Sequence, residues 1–558
     1  MENLGRDLIA FLPELILCGS IVLLLLLRMI PALSKLHMGI VAVLLGIVAF
    51  GVSLAQWIGG PESPFVPEGA SATAPVSLFT GLLVYDQFSI FLKLFLLGFA
   101  VLVTWLSLIT KIPDREDSAD FYVLLLGATL GMMLMASATH LLMVFIAVEM
   151  ASLPSYAMAG FLKGRRQSSE AALKYVVYGG GSAGIMLYGI SILAGTYGTG
   201  YIPDVAAGLV RDLPHMADGE LSGLGEFSFL MLGVLFVLFG VAFKLAAVPF
   251  HFWCPDVFEG ASAEVAGFLS VASKGAALAL LGRFCFALAG FPAIQETISS
   301  DVASYLVPLL AFGAALTATF GNLAAFGQTN LKRLLAYSTI AHAGYMMMGF
   351  AALTRDGASA VLFYLVIYLF MNLGAFAIVA FIRNLTGSEE LRDFRGLIHR
   401  APVLVISLAI CLLSLLGIPP LAGFMAKFQL FRVLYDASLA YQLADKPGLG
   451  IWMYVLLFVL GINSVISLFY YMKVLKVMIM DQRLEEVEGR ESERLPVRIL
   501  PAIYSGLMGF SLVVLGLFWN PLAERAQEGI LPFERQETQQ VQDQQNAPVV
   551  AAREGEAR

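Results

Sequence analysis

Residues 228–254 read SFLMLGVLFVLFGVAFKLAAVPFHFWC. The run is long and apolar enough to span hydrocarbon, which takes about 20 residues of helix. It also carries a lysine at 244 and a proline at 249. An ionisable side chain at the bilayer centre costs roughly 2.5–3.5 kcal/mol on insertion scales. Proline removes a backbone donor and clashes with the preceding turn, so a helix breaks there. Broken backbone survives at membrane depth only inside protein or along a wet cavity. The stretch therefore predicts an interrupted transmembrane helix that turns its lysine into a bundle of other helices.

The rest of the chain supplies that bundle. Of its 558 residues 59% are hydrophobic and only 13% charged, with mean hydropathy +0.81. A soluble domain carries nearly twice that charge. Apolar runs predict about fourteen spans, at 9–30, 38–58, 87–110, 120–138, 140–161, 172–197, 228–254, 264–288, 302–326, 333–353, 357–382, 402–434, 451–479 and 499–519. The fold class expected is an all-α polytopic membrane protein in a lipid bilayer, with no large soluble domain. MENLGRDLIA lacks the basic start and small-residue cleavage site of a signal peptide, so the first run is expected to stay as a helix. Cys18, Cys254, Cys285 and Cys411 lie far apart, without CxxC spacing. That argues against an iron–sulfur cluster or structural zinc, and the four read as small buried apolar residues.

Charge placement sets the orientation. The odd-numbered loops hold twenty Lys and Arg; the N-terminus and the even-numbered loops hold only Arg6, Arg211, Arg355 and Lys446. By the positive-inside rule the odd loops face the cytoplasm and both termini lie outside. The even loops include the long segments 59–86 and 198–227. After the last span no amphipathic helix is expected, and residues 521–558 read as a polar, disordered tail, most strongly from about 536.

Four charges fall where charges are expensive: Glu149, Lys244, Lys274 and Lys427, each inside a different span. One acid cannot pair with three lysines, so structural ion pairing leaves most of the set unexplained. Desolvation disfavours the charged form of a buried lysine, and a nearby carboxylate restores it. That balance suits a group that takes up and releases a proton. Glu14, Lys93, Arg283 and Arg432 lie nearer span ends, where long side chains can reach the interface. Glu170 and Lys174 share a helix face at i, i+4 spacing, which reads as a helix pair. His251 and His342 can relay protons through imidazole, although a lone histidine also serves as a packing residue. His251 has Asp256 and Glu259 nearby but no second ligand at metal spacing, so no metal site is expected.

A second interruption, SLLGIPPLAGFMAKF at 414–428, places Gly417, Pro419, Pro420 and Gly423 before Lys427. Paired breaks in corresponding halves point to an ion pathway built on inverted repeats. Five spans separate the two breaks, so spans 4–8 and 9–13 can form two five-helix repeats of opposite topology. The domain division expected is 1–119, the repeats 120–288 and 289–480, a last helix with its cytoplasmic connection at 481–520, and the tail. GGGSAG at 179–184 fits a dinucleotide-binding pattern only formally; it lies in an apolar helix with no preceding strand. Small residues for close helix packing explain it better.

The motifs LLMVFIAVEMASLPSYAMAGF around Glu149, SSEAALKY at 168–175, FKLAAVPFHFWCPDVFEGA at 243–261, FLSVASKGA at 268–276, NLKRLLAYSTIAHAGYMMMG at 330–349 and GIPPLAGFMAKF at 417–428 carry a resemblance. From about residue 9 to 520 the chain resembles the antiporter-like subunits of proton-pumping NADH:quinone oxidoreductase, respiratory complex I. The closest resemblance is to the subunit N type. Subunit M typically has an acid where Lys427 stands, and subunit L continues into a long lateral helix. The resemblance implies that Glu149, Lys244, Lys274 and Lys427 match buried proton-relay positions. It places Glu170, Lys174 and Lys332 near the channel; His251 and His342 stay relay candidates on their imidazole chemistry alone. It implies a multi-pass subunit in a bacterial inner membrane, beside other membrane subunits that include related antiporter-like ones, and no nucleic acid. This chain would bind no cofactor, with NADH, FMN, iron–sulfur clusters and quinone on partner subunits. A subunit of a multi-subunit Na⁺/H⁺ antiporter is the alternative, and a purely structural subunit a second. One departure stands out. Where the family usually writes GAPTPV, this chain has GASAEV at 260–265, so Ser262 and Glu264 replace prolines.

Overall fold

The protein is described by a computed structural model covering residues 2–30, 37–60, 63–67, 69–70, 75–113, 118–217, 223–290, 301–482 and 498–533. A helix stands on every expected span. The first is kinked at Phe11 into α1 (Glu2–Ala10) and α2 (Leu12–Met29). Next come α3 (Met38–Ile58), α4 (Gln87–Thr110), α5 (Ser118–Ser137), α6 (Leu141–Ala159) and α7 (Arg166–Tyr197). A short helix, α8 (Ile202–Ala217), lies in the even loop before the seventh span. That span is split into α9 (Gly223–Leu245) and α10 (Trp253–Gly260). Then follow α11 (Ala263–Ala289), α12 (Asp301–Ala325), α13 (Leu331–Ala351) and α14 (Arg355–Thr386). The twelfth span is split into α15 (Pro402–Leu416) and α16 (Ala422–Leu443). The series closes with α17 (Pro447–Ile479), α18 (Ile499–Leu517) and α19 (Asn520–Glu528).

Eleven of the described helices are long and apolar enough to cross a membrane unaided. The two broken spans and α13 complete the bundle. The polarity is inverted relative to a soluble protein: Ile40, Leu44, Phe458 and Phe510 point outward, while Glu264, Lys274, Asn322 and Asn372 are fully buried. Lipid solvates the apolar exterior, and polar side chains must find partners within the protein.

The same packing scheme occurs twice. α5 lies on α6, α6 on α7, α7 on α9 and α10, and α5 on α11. Likewise α12 lies on α13, α13 on α14, α14 on α15 and α16, and α12 on α17. Small details repeat with it. Gly131 of α5 meets the backbone of Ala151, and Gly321 of α12 meets that of Ala341, so closely that a Cβ at either glycine would stand under 3 Å from a backbone nitrogen. His140 caps α6 and Asn330 caps α13, and each pairs with the extended chain after the third helix of its set, at Tyr201 and Glu390. The breaks correspond too, with positive φ at Ala246 and at Gly417. As the order in the sequence implies, Lys244 precedes its break and Lys427 follows the other.

Three differences from expectation have physical causes. Glu14 and Lys93 do not reach the interface; they form a 2.7 Å ion pair between α2 and α4 with both side chains buried. Arg283 reaches inward as well, to Asp86 at the start of α4 and to the Ala136 carbonyl. Each charge found an opposite partner inside the bundle, which removes the reason to snorkel. Finally, the expected tail begins with a helix. In α19, Ala526 is buried and the helix packs on α14, while Trp519 sets its ring edge against Phe363. The part of the tail from 534 lies outside the described residues. The long even loop before α4 also contains a small antiparallel pair, β1 (Val76–Leu78) with β2 (Leu83–Tyr85).

Removing one partner of a buried ion pair strands the other charge, at about 3–5 kcal/mol. Lys93→Met should therefore lower stability in detergent by roughly that amount, while Glu14→Leu combined with Lys93→Met should recover most of it. Denaturation followed by size-exclusion chromatography of the three proteins checks this.

Candidate functional site

Glu149 sits in mid-α6, half-buried, with a buried Oε1 that has no hydrogen-bond partner. Lys244 lies in the last turn of α9 and is 2% exposed, its Nζ likewise without a partner. The charges facing Lys244 are Glu149 and Lys274, yet no ion pair joins them. Lys274, in the middle of α11, is fully buried with an unpartnered Nζ. Its Nζ stands 4.5 Å above the Trp253 ring and 5.4 Å from that of Phe258, both on α10. Aromatic faces attract an ammonium without accepting its hydrogen bonds. The three groups therefore lie in one buried neighbourhood and remain electrostatically unsatisfied.

Lys427 is held differently. From the first turns of α16 its Nζ donates to the Leu416 carbonyl at 2.8 Å, the last residue of α15. It also stands 5.1 Å from the Tyr345 ring. Both break lysines thus occupy the C-terminal end of a half-helix, Lys244 as part of the last turn and Lys427 by reaching back. That is the negative end of the helix dipole, where cations are favoured. The sequence position of the two lysines differs, but their relation to the break is shared.

Between Lys274 and Lys427 stand α13 and α14, each of which packs against both α11 and α16. They carry a polar network that the sequence reading missed except at His342. His342 Nδ1 is 2.8 Å from the Tyr364 hydroxyl and Nε2 is 3.4 Å from that of Tyr471. Lys427 is the charge facing it. Tyr471 also bonds Ser338. Asn372 donates to Tyr368 at 2.9 Å and to Thr339 at 3.3 Å, and Asn322 donates to Tyr345 at 2.7 Å. The available signal was amide and tyrosine side chains at mid-span positions, where polar groups are expected to bond across helices.

The remaining candidates fall into charge clusters at the ends of the helices. Lys174 bonds Glu170 at 2.9 Å, as its spacing suggested, and Asp256 at 2.7 Å. Asp256 also receives Arg333 at 2.7 Å, and Arg333 holds Glu259 at 2.8 Å. α7 of the first set is thereby tied through α10 to α13 of the second. Lys332 is 3% exposed and bonds Glu389 at 2.8 Å and the Ala261 carbonyl at 2.7 Å. His251, within the first break, packs against Phe252 and Phe320 and leaves Nδ1 unpartnered. It joins none of these clusters.

An antiporter-like membrane subunit is the class this architecture defines: two packing sets, each with an interrupted helix and a buried lysine beside the break. Comparison with known proteins agrees. The profile described as NADH:quinone oxidoreductase/Mrp antiporter, TM matches residues 138–444. NADH-quinone oxidoreductase subunit N of Anaeromyxobacter sp. (strain Fw109-5) is 40% identical over 461 residues, 82% of this chain and 86% of that one. Subunit N 2 of Sorangium cellulosum (strain So ce56) is 38% identical over 535 residues, 94% and 97%. A chain of respiratory complex I from Thermus thermophilus superposes with TM-score 0.69 at 29% identity, over 92% of this chain and 98% of that one. In fold alone, a chain of the Mrp complex from Dietzia sp. is also similar, with TM-score 0.76 at 18% identity, covering 96% and 99%. The chain belongs to the NADH:quinone oxidoreductase/Mrp antiporter transmembrane family, within its subunit N group.

Among the described residues, Asp256 is the one carboxylate that bridges α7 and α13 through α10. Asp256→Ala should speed amide hydrogen exchange across residues 253–260 while leaving α2 and α3 unchanged, read by mass spectrometry on the intact complex.

Proposed function

We propose that this chain is subunit N of a bacterial proton-pumping NADH:quinone oxidoreductase and that it moves protons through Glu149, Lys244, Lys274 and Lys427. The observation that carries the proposal is the contrast among buried charges. Glu14, Lys93, Asp86 and Arg283 are closed into ion pairs. Glu149 is half-buried and Lys244 and Lys274 are buried, and none of the three is closed into an ion pair among the described residues; Glu149 Oε1 and both Nζ atoms also lack a hydrogen-bond partner. A charge locked in a pair has little reason to change protonation, whereas an unpaired one close to another charge responds to it.

In this reading Glu149 biases Lys244. A proton arriving at Lys244 disfavours charge on Lys274, which passes its proton through the His342 and tyrosine network toward Lys427. Each transfer breaks an N–H bond at the donor lysine and forms one at the acceptor, with neutral imidazole and phenol as carriers between them. Lys332 and Lys174, with Glu170 and Asp256, hold the helix ends around the path, and His251 is a further carrier at the first break.

The chain performs no redox step of its own. Nicotinamide, flavin, iron–sulfur and quinone chemistry belongs to partner subunits, and electron transfer there drives the charge shifts here. The partners are other membrane subunits, some of the same fold, in the bacterial inner membrane. Both termini lie on the periplasmic side.

In vesicles containing the assembled complex, driven by NADH and a quinone, Lys427→Ala should abolish proton pumping at this subunit. Lys244→Met should lower the protons moved per electron. Native gels establish assembly, and electron transfer is followed in parallel. Normal pumping by both variants would return the chain to a structural role. Sodium-dependent transport without NADH or quinone would favour the antiporter alternative.

A further inference from the structure

The departure at residues 260–265 has a structural counterpart. Glu264 occupies the first turn of α11 and is fully buried. Neither carboxylate oxygen has a hydrogen-bond partner. Its nearest cation is Arg383, in the last turn of α14, at 3.7 Å from Nη2 to Oε1. The other arm of the same guanidinium stands 3.9 Å from Glu389, and Arg383 Nη1 also lacks a hydrogen bond. Glu389 is better served, by Lys332 at 2.8 Å. One arginine is thus shared at long range between two carboxylates, one of which has a second cation at 2.8 Å while Glu264 has no other within ion-pair distance among the described residues. Facing Glu264 are Tyr122 of α5, Lys332 of α13, Arg383 of α14 and Glu389 of the loop after α14. The carbonyl of Ala261, the residue just after α10, accepts from Lys332.

The location adds direction. Glu264, Lys332, Arg383 and Glu389 all stand at the ends of odd loops, the side that the Lys and Arg excess assigns to the cytoplasm. The Glu389 side chain is 15% exposed and those of Arg383 and Glu264 are 8% and 0%, so the cluster runs from the surface inward. Glu264 and Lys274 share α11. Ten residues at 1.5 Å each put them about 15 Å apart along its axis. Ser270 lies on the Lys274 face, one turn before it.

We propose that Glu264 is the cytoplasmic proton-intake carboxylate for Lys274, with Arg383 and Glu389 as its positioning partners. This rests on the relay reading above. A proton from cytoplasmic water binds the Glu264 carboxylate. The neutral acid releases Arg383, which closes on Glu389 and loosens the hold of Glu389 on Lys332. The O–H bond at Glu264 then breaks and an N–H bond forms at the Lys274 amine, through water along the Ser270 side of α11. Carboxylate and ammonium result, and Arg383 returns to its shared position. The cluster carries no net charge before intake and one positive charge after it, so each proton is registered as a movement of Arg383.

Three variants of the assembled complex in vesicles test this. Glu264→Gln keeps the shape and cannot carry the proton. Glu264→Pro installs the residue the family usually has, in a helical turn that accepts proline. Glu264→Asp keeps the carboxyl. The pumping rate is measured as the pH on the cytoplasmic face rises from neutral to alkaline. The Gln and Pro variants should pump several-fold more slowly, with a deficit that widens as protons become scarce, and the Asp variant should keep the parental profile. Three results would overturn the proposal: parental rates in the Gln and Pro variants across the range, a deficit of the same size at every pH, or failure of both to assemble on a native gel. Lys274→Ala run alongside separates the two readings. If it stops pumping while Glu264→Gln pumps normally, only the intake proposal falls. If both pump normally, the relay reading falls and takes this one with it.

Discussion

A helix that stops inside a bilayer leaves backbone donors and acceptors open in a medium that cannot bond them. Each unsatisfied group costs several kcal/mol. The two breaks are therefore possible only because neighbouring side chains close them. The Phe243 carbonyl accepts the indole N–H of Trp253 at 2.9 Å, and the Val248 amide donates to Thr317 on α12 at 3.0 Å. At the second break the Gly423 amide donates to Ser414 at 3.0 Å, and Leu416 accepts Lys427. Ala246 holds a left-handed conformation that costs an L-residue roughly 1–2 kcal/mol. The first break thus needs support from two directions, and Thr317 supplies one of them from the other packing set. The lysines at the breaks, the breaks themselves and the contact between the two sets are parts of one solution to an open backbone.

That solution decided what could be read from residues alone. Spans follow from hydropathy because lipid leaves helices almost no alternative, and Pro249, Pro419 and Pro420 mark the breaks because proline cannot continue a helix. Lys244, Lys274 and Lys427 stand out because charge is rare at that depth. The partners of charges were harder. Glu14 and Lys93 are 79 positions apart in the chain, and only the packing of α2 and α4 brings them together. Tyr364, Tyr368 and Tyr471 carry as much of the polar network as His342 does, yet a tyrosine in an apolar run reads as a hydrophobe because most of its surface is one. The short helix after the last span escaped because its stability comes from contact with α14 rather than from its own nine residues, too few to hold a helix in isolation.

The two packing sets diverge most at their lysines. Lys244 belongs to the last turn of its own half-helix, and its Nζ has no hydrogen-bond partner there. Lys427 belongs to the opposite half and reaches across Gly417, where an added Cβ would stand 3.0 Å from its side chain. A glycine there both permits the left-handed turn and clears the path of the lysine. Both lysines stand at the C-terminal end of a half-helix, but only Lys427 is hydrogen-bonded to its last carbonyl. Lys274 has no such anchor, since Trp253 and Phe258 offer ring faces and no acceptor.

The difference in tethering bears on how charge movement in one set is felt in the other. A lysine hydrogen-bonded to a single carbonyl can change its protonation without losing that bond, because a neutral amine also donates. Such a group keeps its position through the cycle and changes only its field. A lysine held by ring faces loses much of its attraction when it loses its charge, so its position and its protonation are coupled. In the proposed relay Lys274, on the helix that packs against α13 and α14, is thus the member whose discharge is felt as motion. Trp253, whose ring lies 4.5 Å from Lys274, bonds the Phe243 carbonyl one residue before Lys244. The same indole closes the first break and holds the central lysine. In the proposed relay a displacement of Lys274 acts on the break itself, and through the Val248–Thr317 bond on α12.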